Sequence, residues 1–130
     1  MPPLHPRRGE IYMASMRAAV AARKMRPALI ISPDVRNRWA SDVLVIPLST
    51  KLRPMRTHIV IDRGEGGLPH TSVVLCEQVM CLHKLLLEGR PLGGLLSEDR
   101  MRQVESALLV ALGIRPQEAQ LPSSPARENP

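Results

Sequence analysis

Residues 26–32, Arg-Pro-Ala-Leu-Ile-Ile-Ser, and residues 43–48, Val-Leu-Val-Ile-Pro-Leu, are two short apolar runs, each followed by turn-forming or polar residues. Their length and their β-branched side chains are typical of buried strands. Similar runs recur along the chain. The predicted strands are 10–14, 28–32, 43–48, 58–62 and 72–80, the last with a break considered near Glu77. Short strands separated by turns predict a mainly β fold, a small barrel, rather than alternating strands and helices.

A glycine-rich turn and one helix complete the predicted domain. Residues 63–69, Arg-Gly-Glu-Gly-Gly-Leu-Pro, hold three glycines that tolerate positive φ. Ser97, followed by two acidic residues, predicts a helix start, and Gly113 predicts its end after Leu112. Apolar residues at spacings of three and four give this helix one face to pack on the barrel. The predicted domain spans residues 8–114, with flexible segments at 1–7 and 115–130.

Composition bounds the function. The chain has 130 residues and is 44% apolar, which suits one domain with one core. Eighteen Lys and Arg against twelve acids give a net charge of +6, which favours a polyanionic partner. From charge alone, nucleic-acid binding and a solvated basic surface are equally supported. One Trp, one Tyr and no Phe argue against an aromatic platform for stacking bases.

The cysteines and the apolar runs exclude several classes of protein. Cys76 and Cys81 are too few for a disulfide framework and lack the spacing of a zinc site, so both are predicted to be reduced core residues. No run has the length of a membrane span, and the first residues carry no apolar signal segment. We therefore expect a cytoplasmic protein with no metal, no cofactor and no membrane partner.

Four stretches, in order along the chain, form a larger pattern. They are Arg8-Gly9-Glu10-Ile11-Tyr12, residues 26–32, Ile46-Pro47-Leu48-Ser49-Thr50 and Ser72-Val73-Val74-Leu75-Cys76-Glu77-Gln78. Each is weak alone, but the four in register, with a Gly-Leu-Pro turn before the last and a helix after it, are specific. Together they resemble the MazF/PemK toxin family, over about residues 7–114.

The resemblance implies an SH3-like β-barrel of the MazF/CcdB type with a C-terminal helix packed on it. It also implies a homodimer that cleaves single-stranded RNA without a metal, leaving a 2′,3′-cyclic phosphate and a 5′-hydroxyl. A cognate antitoxin protein is the implied partner that blocks the RNA groove. Two other functions remain open, a toxin of this fold that acts only by binding a protein, as gyrase poisons do, and an inactive RNA-binding module.

Arg26 and Ser49 match the catalytic Arg and Thr of the family. Arg26 precedes Pro27, which biases it towards an extended conformation at a strand entrance, and its planar guanidinium suits a phosphate. Its pKa is too high for a general base, so we expect it to stabilise the charge of the transition state. Ser49 keeps the hydroxyl of the family's Thr, and Thr50 is able to share its role. The alternatives are a surface arginine and a turn serine.

Glu77 and Gln78 match an acid–glutamine pair of the family. Among apolar neighbours the Glu77 carboxyl is expected to have a raised pKa and to accept a proton; pairing with a nearby arginine is the alternative. In one branch the residue two positions before the acid is a catalytic arginine, but here it is Leu75, so that scheme does not transfer. Gln78 is expected near the RNA, and His58 is a second-rank candidate for RNA contact or proton transfer.

Basic residues in two further segments are candidates for RNA contact. Asn37 and Arg38 follow the second predicted strand, where an Asn-Arg pair recurs in the family; a solvated turn is the alternative. Trp39 beside them is expected to pack at a dimer seam or to stack on a base. Arg23 and Lys24 end the basic segment 17–24. Its alanines favour a helix, but its position between two predicted strands favours a loop, and it is interpreted as a mobile loop in place of the Gly-Ser-Glu-like loop of many relatives.

Overall fold

The computed structural model describes residues 5–16 and 24–115. In these residues the chain forms seven strands and two α-helices in one antiparallel sheet system. The strands are β1 Ile11–Ser15, β2 Met25–Ile30, β3 Asp42–Ser49, β4 His58–Ile61, β5 Ser72–Leu75, β6 Met80–His83 and β7 Leu87–Glu88. The helices are α1 Asp34–Trp39 and α2 Glu98–Leu112, and short 3-10 segments lie at Glu65–Gly67, Cys76–Gln78 and Lys84–Leu86.

Strand β3 organises the sheet because both of its edges are paired. The strand order is β4-β5-β3-β2-β1-β7, with β6 also on β3. Along one edge β3 pairs with β2, and along the other it pairs first with β6, over Asp42 to Val45, and then with β5 at Leu48 and Ser49. The hydrogen-bonded path through the described residues ends at β4 and β7. The mainly β prediction is therefore confirmed, but the sheet does not close into a complete barrel.

Two apolar clusters cover the two faces of the sheet. Alternate residues such as Leu29 and Leu48 pack with Val104 of α2, and this face holds the larger cluster. The other set of alternate residues, among them Ala28 and Val45, forms a second cluster on the opposite face. This division follows from the two-residue period of a strand, in which successive side chains point to opposite faces. Helix α2 thus marks one face, and the site described below lies on the other.

Helix α2 begins and ends where the sequence predicts. The Ser97 side chain accepts a hydrogen bond from the Arg100 N–H at 3.1 Å, and Gly113 has a φ of 74° in the left-handed region. The cap satisfies one of the free N–H groups of the first turn, and glycine takes the left-handed conformation without a steric cost. The predicted helix from Ser97 to Leu112 is confirmed.

The glycine-rich turn is fixed against α2 and the chain near residue 92. A Cβ on Gly67, whose φ is +84°, would lie 2.2 Å from the Leu92 carbonyl oxygen, so only glycine fits there. The Arg100 guanidinium donates to both carboxylate oxygens of Glu65 at 2.9 Å each and to Asp62 at 3.2 Å. These bonds from Arg100 hold the pKa of the Glu65 carboxyl below its ordinary value of 4.5.

Several elements differ from the predicted ones. Helix α1 was not predicted, because six residues are too few to show an apolar period. The predicted strand 72–80 is broken at Cys76–Gln78, which confirms the break near Glu77. Strand β2 begins at Met25 rather than at Ala28, so Arg26 lies inside it. Of the basic segment 17–24, only Lys24 lies within the described residues.

The two cysteines occupy different environments. Cys76 is fully buried in the cluster beneath α2, and burial raises the pKa of its thiol to about 12. Cys81 is exposed on β6, so the prediction of a core residue is right for Cys76 and wrong for Cys81. Neither described helix is long and apolar enough to cross a membrane. Within residues 5–16 and 24–115, no three His, Cys, Asp or Glu side chains are grouped so that they could hold a metal ion.

Candidate functional site

The register of β2 and β3 brings Arg26 and Ser49 together. Ala28 pairs with Pro47 and Ile30 with Val45, so continuing this register by two residues places Arg26 opposite Ser49. Partners across an antiparallel pair project from the same face, about 5 Å apart at their Cβ atoms. The ladder itself stops at Ala28 and Pro47. Arg26 and Ser49 therefore face each other at the end of the ladder, on the face opposite α2.

The Arg26 guanidinium is available to an anion. The residue is half-buried, and its neighbour across β1 is Ala14, whose small side chain leaves space beside it. In the part of the chain that the structure describes, no hydrogen bond or ion pair is made by this guanidinium. A half-buried cation without an internal partner is well suited to bind a phosphate through its planar set of donors.

The Ser49 hydroxyl is oriented by the chain that follows it. Its Oγ accepts a hydrogen bond from the Lys51 N–H at 3.0 Å, which leaves the hydroxyl proton able to donate to a phosphate oxygen. Thr50 is exposed and lies just beyond the end of β3. By strand alternation Thr50 does not share the face of Arg26. The geometry thus favours Ser49 over Thr50.

A second polar group, formed by His58, Glu77 and Thr57, lies across β5 from Ser49. Val60 pairs with Val73, which in turn pairs with Ser49, and His58 is two residues from Val60 on β4. His58 therefore belongs to the same face, two strands away and two residues further along β4, or about 12 Å from Ser49 at the usual spacings of a sheet. Glu77 accepts from Thr57 Oγ1 at 2.7 Å and lies 2.9 Å from His58 Nε2.

The Glu77 carboxylate differs from the expectation in two ways. Burial by itself would raise its pKa, but the hydrogen bonds from His58 and Thr57 outweigh burial, and the net pKa is lowered. The expectation of a raised pKa is therefore wrong, and a lowered pKa makes a weaker general base. Its partner is His58, whose Nε2 lies 2.9 Å from Oε2, rather than an arginine, and Glu77 lies on a 3-10 segment rather than on a strand.

The comparison with known protein families decides the assignment. Residues 7–112 match the model of a family described as PemK-like, MazF-like toxins of type II toxin–antitoxin systems. The chain belongs to this family. The SH3-like fold class with a C-terminal helix, expected from four sequence stretches, is therefore confirmed.

Solved structures of MazF-like toxins agree with the fold. An endoribonuclease from a mycobacterial species is 29% identical, with a TM-score of 0.70, over 85% of this chain and 94% of the other. The Mycobacterium tuberculosis toxin MazF-mt6 is 27% identical, with a TM-score of 0.70, over 82% and 98%. MazF from Deinococcus radiodurans is 19% identical, over 86% and 100%, and its TM-score of 0.72 supports the fold alone.

In this MazF-like toxin, Asn37 and Arg38 lie away from Arg26 and Ser49. Helix α1 leads into the start of β3. Ser49 is the last residue of β3, about 23 Å from that start along an eight-residue strand. Asn37 is fully buried and exchanges hydrogen bonds with Ser32, so its side chain cannot contact RNA as predicted. The Arg38 guanidinium lies 5.3 Å from the centroid of the Trp39 ring, which is 76% exposed.

The remaining predicted contacts are exposed, and a basic loop was missed. Gln78 follows Glu77 on the 3-10 segment and Lys24 precedes β2; both are exposed, while Arg23 lies outside the described residues. The loop between β3 and β4, residues 50–57, carries Lys51, Arg53 and Arg56, and all three are exposed. Three cations within six residues, between two predicted strands and without an acidic residue, are a sequence signal that would have indicated this loop.

Proposed function

We propose that this MazF-like toxin is an endoribonuclease that cleaves single-stranded RNA at a phosphate held between Arg26 and Ser49. The observation that supports the proposal is the β2–β3 register, which, continued by two residues, aligns Arg26 with Ser49; within the described residues the guanidinium makes no hydrogen bond or ion pair, and the Ser49 hydroxyl proton makes no hydrogen bond. Relatives of 27–29% identity include one described as an endoribonuclease and one described as a MazF toxin.

In the proposed reaction the ribose 2′-hydroxyl loses its proton to water as its oxygen bonds to the adjacent phosphorus, and the bond from phosphorus to the 5′-oxygen breaks as that oxygen takes a proton from water. The products are a 2′,3′-cyclic phosphate and a 5′-hydroxyl. Arg26 supplies the positive charge over the phosphorane, a role given to metal ions in other nucleases, so the reaction needs no added cation. Ser49 donates a hydrogen bond to a non-bridging oxygen, and exposed Gln78 and Lys24 lie along the RNA.

The proposed partners are the RNA substrate, a second copy of the chain and a cognate antitoxin. One mycobacterial endoribonuclease, 28% identical with a TM-score of 0.69, over 92% of this chain and 99% of the other, was solved in complex with its cognate antitoxin. An antitoxin that covers the Arg26 face would neutralise the toxin. The expected location is the cytoplasm, where both RNA and antitoxin are made.

Incubation of the purified protein with mixed-sequence RNA in EDTA tests this function directly. We expect cuts at defined positions. The 5′ fragments should end in a cyclic phosphate, detected as a mass about 18 Da below that of the linear monophosphate. The 3′ fragments should begin with a 5′-hydroxyl, which polynucleotide kinase labels without prior phosphatase treatment. Arg26→Ala protein prepared in parallel controls for contaminating ribonuclease. Uncut RNA across all sequence contexts would contradict the enzyme and leave a binding function.

A further inference from the structure

Both ring nitrogens of His58 contact oxygen atoms of the protein. Its side chain is 6% exposed, Nδ1 lies 2.9 Å from the Arg53 carbonyl oxygen, and Nε2 lies 2.9 Å from Oε2 of Glu77. A ring with both nitrogens engaged inside the protein has no free nitrogen with which to exchange a proton with a substrate. The geometry therefore favours a fixed cross-link over acid–base catalysis.

The partners of His58 fix the end of loop 50–57. The His58 N–H donates to the Met55 carbonyl at 3.1 Å, which closes the last turn of the loop. Thr57 is tied to the 3-10 segment Cys76–Gln78 twice, since its carbonyl accepts from the Cys76 N–H at 3.0 Å and its hydroxyl donates to Glu77 at 2.7 Å. The loop therefore depends on His58 and Glu77 for its position.

The start of the same loop is tied to the proposed reaction centre. The Lys51 N–H donates to the Ser49 hydroxyl at 3.0 Å, so the loop leaves directly from a residue proposed to hold the scissile phosphate. Its other anchor, His58, lies on the same face of the sheet. A shift of the loop would therefore move its cations relative to an RNA strand that passes Ser49.

The loop has the composition of a nucleic-acid contact. Lys51, Arg53 and Arg56 are exposed, and residues 50–57 contain no acid. Leu52 and Met55 are about half exposed, at 53% and 52%, and border an open groove of about 560 Å³ that reaches His58. Cations around an apolar floor bind phosphates at the rim and accept bases or sugars on the floor.

We propose that His58 is a positioning residue whose imidazole cross-links loop 50–57 to Glu77 and so holds Lys51, Arg53 and Arg56 against RNA phosphates that neighbour the scissile one. The inference rests on the proposed ribonuclease function. Both partners of the ring are oxygen acceptors that lie on opposite sides of it, so the full bridge needs an N–H on both ring nitrogens, which only the imidazolium form carries, and a side chain with a single donor group cannot replace it. The role of Glu77 is then to hold His58 rather than to accept the 2′-hydroxyl proton.

The His58→Gln variant tests the cross-link without RNA. Limited trypsin digestion, followed by mass spectrometry, measures cutting after Lys51 and Arg56. We expect cutting in the loop to be about tenfold faster than in the wild type, as follows from the loss of one net hydrogen bond to a charged group. His70→Gln is the matched control, because His70 is exposed in the turn before β5 and its ring makes no hydrogen bond within the described residues. Unchanged cutting in His58→Gln would overturn the cross-link.

RNA binding and single-turnover cleavage test the positioning role. Binding is measured with an oligonucleotide that carries a 2′-deoxy sugar at the cut site and so is not cleaved. For His58→Gln we expect a Kd about tenfold weaker than that of the wild type, and a Kd that depends less steeply on salt, because phosphate contacts are lost. The single-turnover rate at saturating RNA should change by less than about threefold. A large loss of rate with unchanged Kd would overturn positioning and indicate that His58 acts on the reacting atoms.

A second variant keeps the test decisive if His58→Gln fails to fold. Glu77→Gln retains the shape of the side chain and weakens its bond to Nε2, so it should raise loop cutting and Kd in the same direction. Should the wild type not cut RNA at all, the proposed function fails, while the digestion experiment still decides whether His58 holds the loop.

Discussion

Replacing Arg26 by alanine tests the central element of the proposed site. The wild-type guanidinium makes no internal bond in the described part of the chain, so its donors are free for phosphate and no internal interaction offsets their loss. Two charge-assisted hydrogen bonds at about 1.5 to 3 kcal/mol each sum to about 3 to 6 kcal/mol in the transition state. The expected loss of rate is therefore roughly 10²- to 10⁴-fold. Since no hydrogen bond or ion pair within the described residues is broken, stability should change by less than about 0.5 kcal/mol.

The assay is single-turnover cleavage of an oligonucleotide that contains a mapped cut site, with urea unfolding measured on the same preparations. Arg102→Ala is the matched control, because it removes the same charge from α2, on the opposite face of the sheet, where Arg102 makes an exposed ion pair of 2.6 Å with Asp99. It should cleave at nearly the wild-type rate. If Arg26→Ala retained a rate within about threefold of wild type, the assignment of Arg26 to the reaction would be refuted.

Three further changes probe other parts of the structure. Ser49→Ala should slow single-turnover cleavage by about 10²- to 10³-fold, or about 2.7 to 4 kcal/mol, whereas Thr50→Ala stays near wild type; the reverse order would move the role to Thr50. Asn37→Ala removes the buried partner of Ser32 and should lower the free energy of unfolding, measured in urea, by about 2 to 4 kcal/mol. The control Arg38→Ala should change it by less than about 0.5 kcal/mol, and equal effects of the two variants would contradict a structural role of the Asn37 hydrogen bonds. Glu65→Gln should lower the Tm above pH 4.5, the ordinary pKa of the carboxyl. Because the pKa of Glu65 is lower in the folded protein, the difference in Tm between wild type and variant should disappear as the pH falls through that folded pKa. A difference in Tm that does not change with pH would argue against the Arg100 contact.

Local patterns in the sequence predicted α2 and every strand except β7, whereas Arg26 and Ser49 were candidates through the family resemblance. Alternation places Arg26 on the same side of β2 as Ala28, and Ser49 on the same side of β3 as Val45, but the register that brings both side chains to one face is visible only in the structure. Helix α1 escaped prediction because Pro33 and Asp34 are its only local start signal. As a result, Asn37 was predicted to contact RNA although its side chain satisfies buried groups of Ser32.

The roles of His58 and Glu77 required the structure. Nineteen residues separate them, and they meet only because β4 and β5 pair and the chain then turns at Cys76–Gln78. A raised pKa was expected for Glu77 from its apolar neighbours in sequence; burial does act in that direction, but the hydrogen bonds from His58 and Thr57 outweigh it and lower the pKa. Long-range hydrogen bonds of this kind leave no period or spacing in the sequence.

The unlike surroundings of the two cysteines provide a handle for labelling the native chain. A maleimide dye should attach at Cys81 alone, because Cys76 is enclosed under α2 and its thiol has a pKa of about 12. A hydrogen bond to Asp42 raises the pKa of Cys81 as well, so mildly alkaline buffer will speed the attachment. Cys81 pairs with Leu44, about 17 Å along β3 from Ser49, so fluorescence from that position can test for assembly with the proposed antitoxin while the face that holds Arg26 and Ser49 remains unmodified.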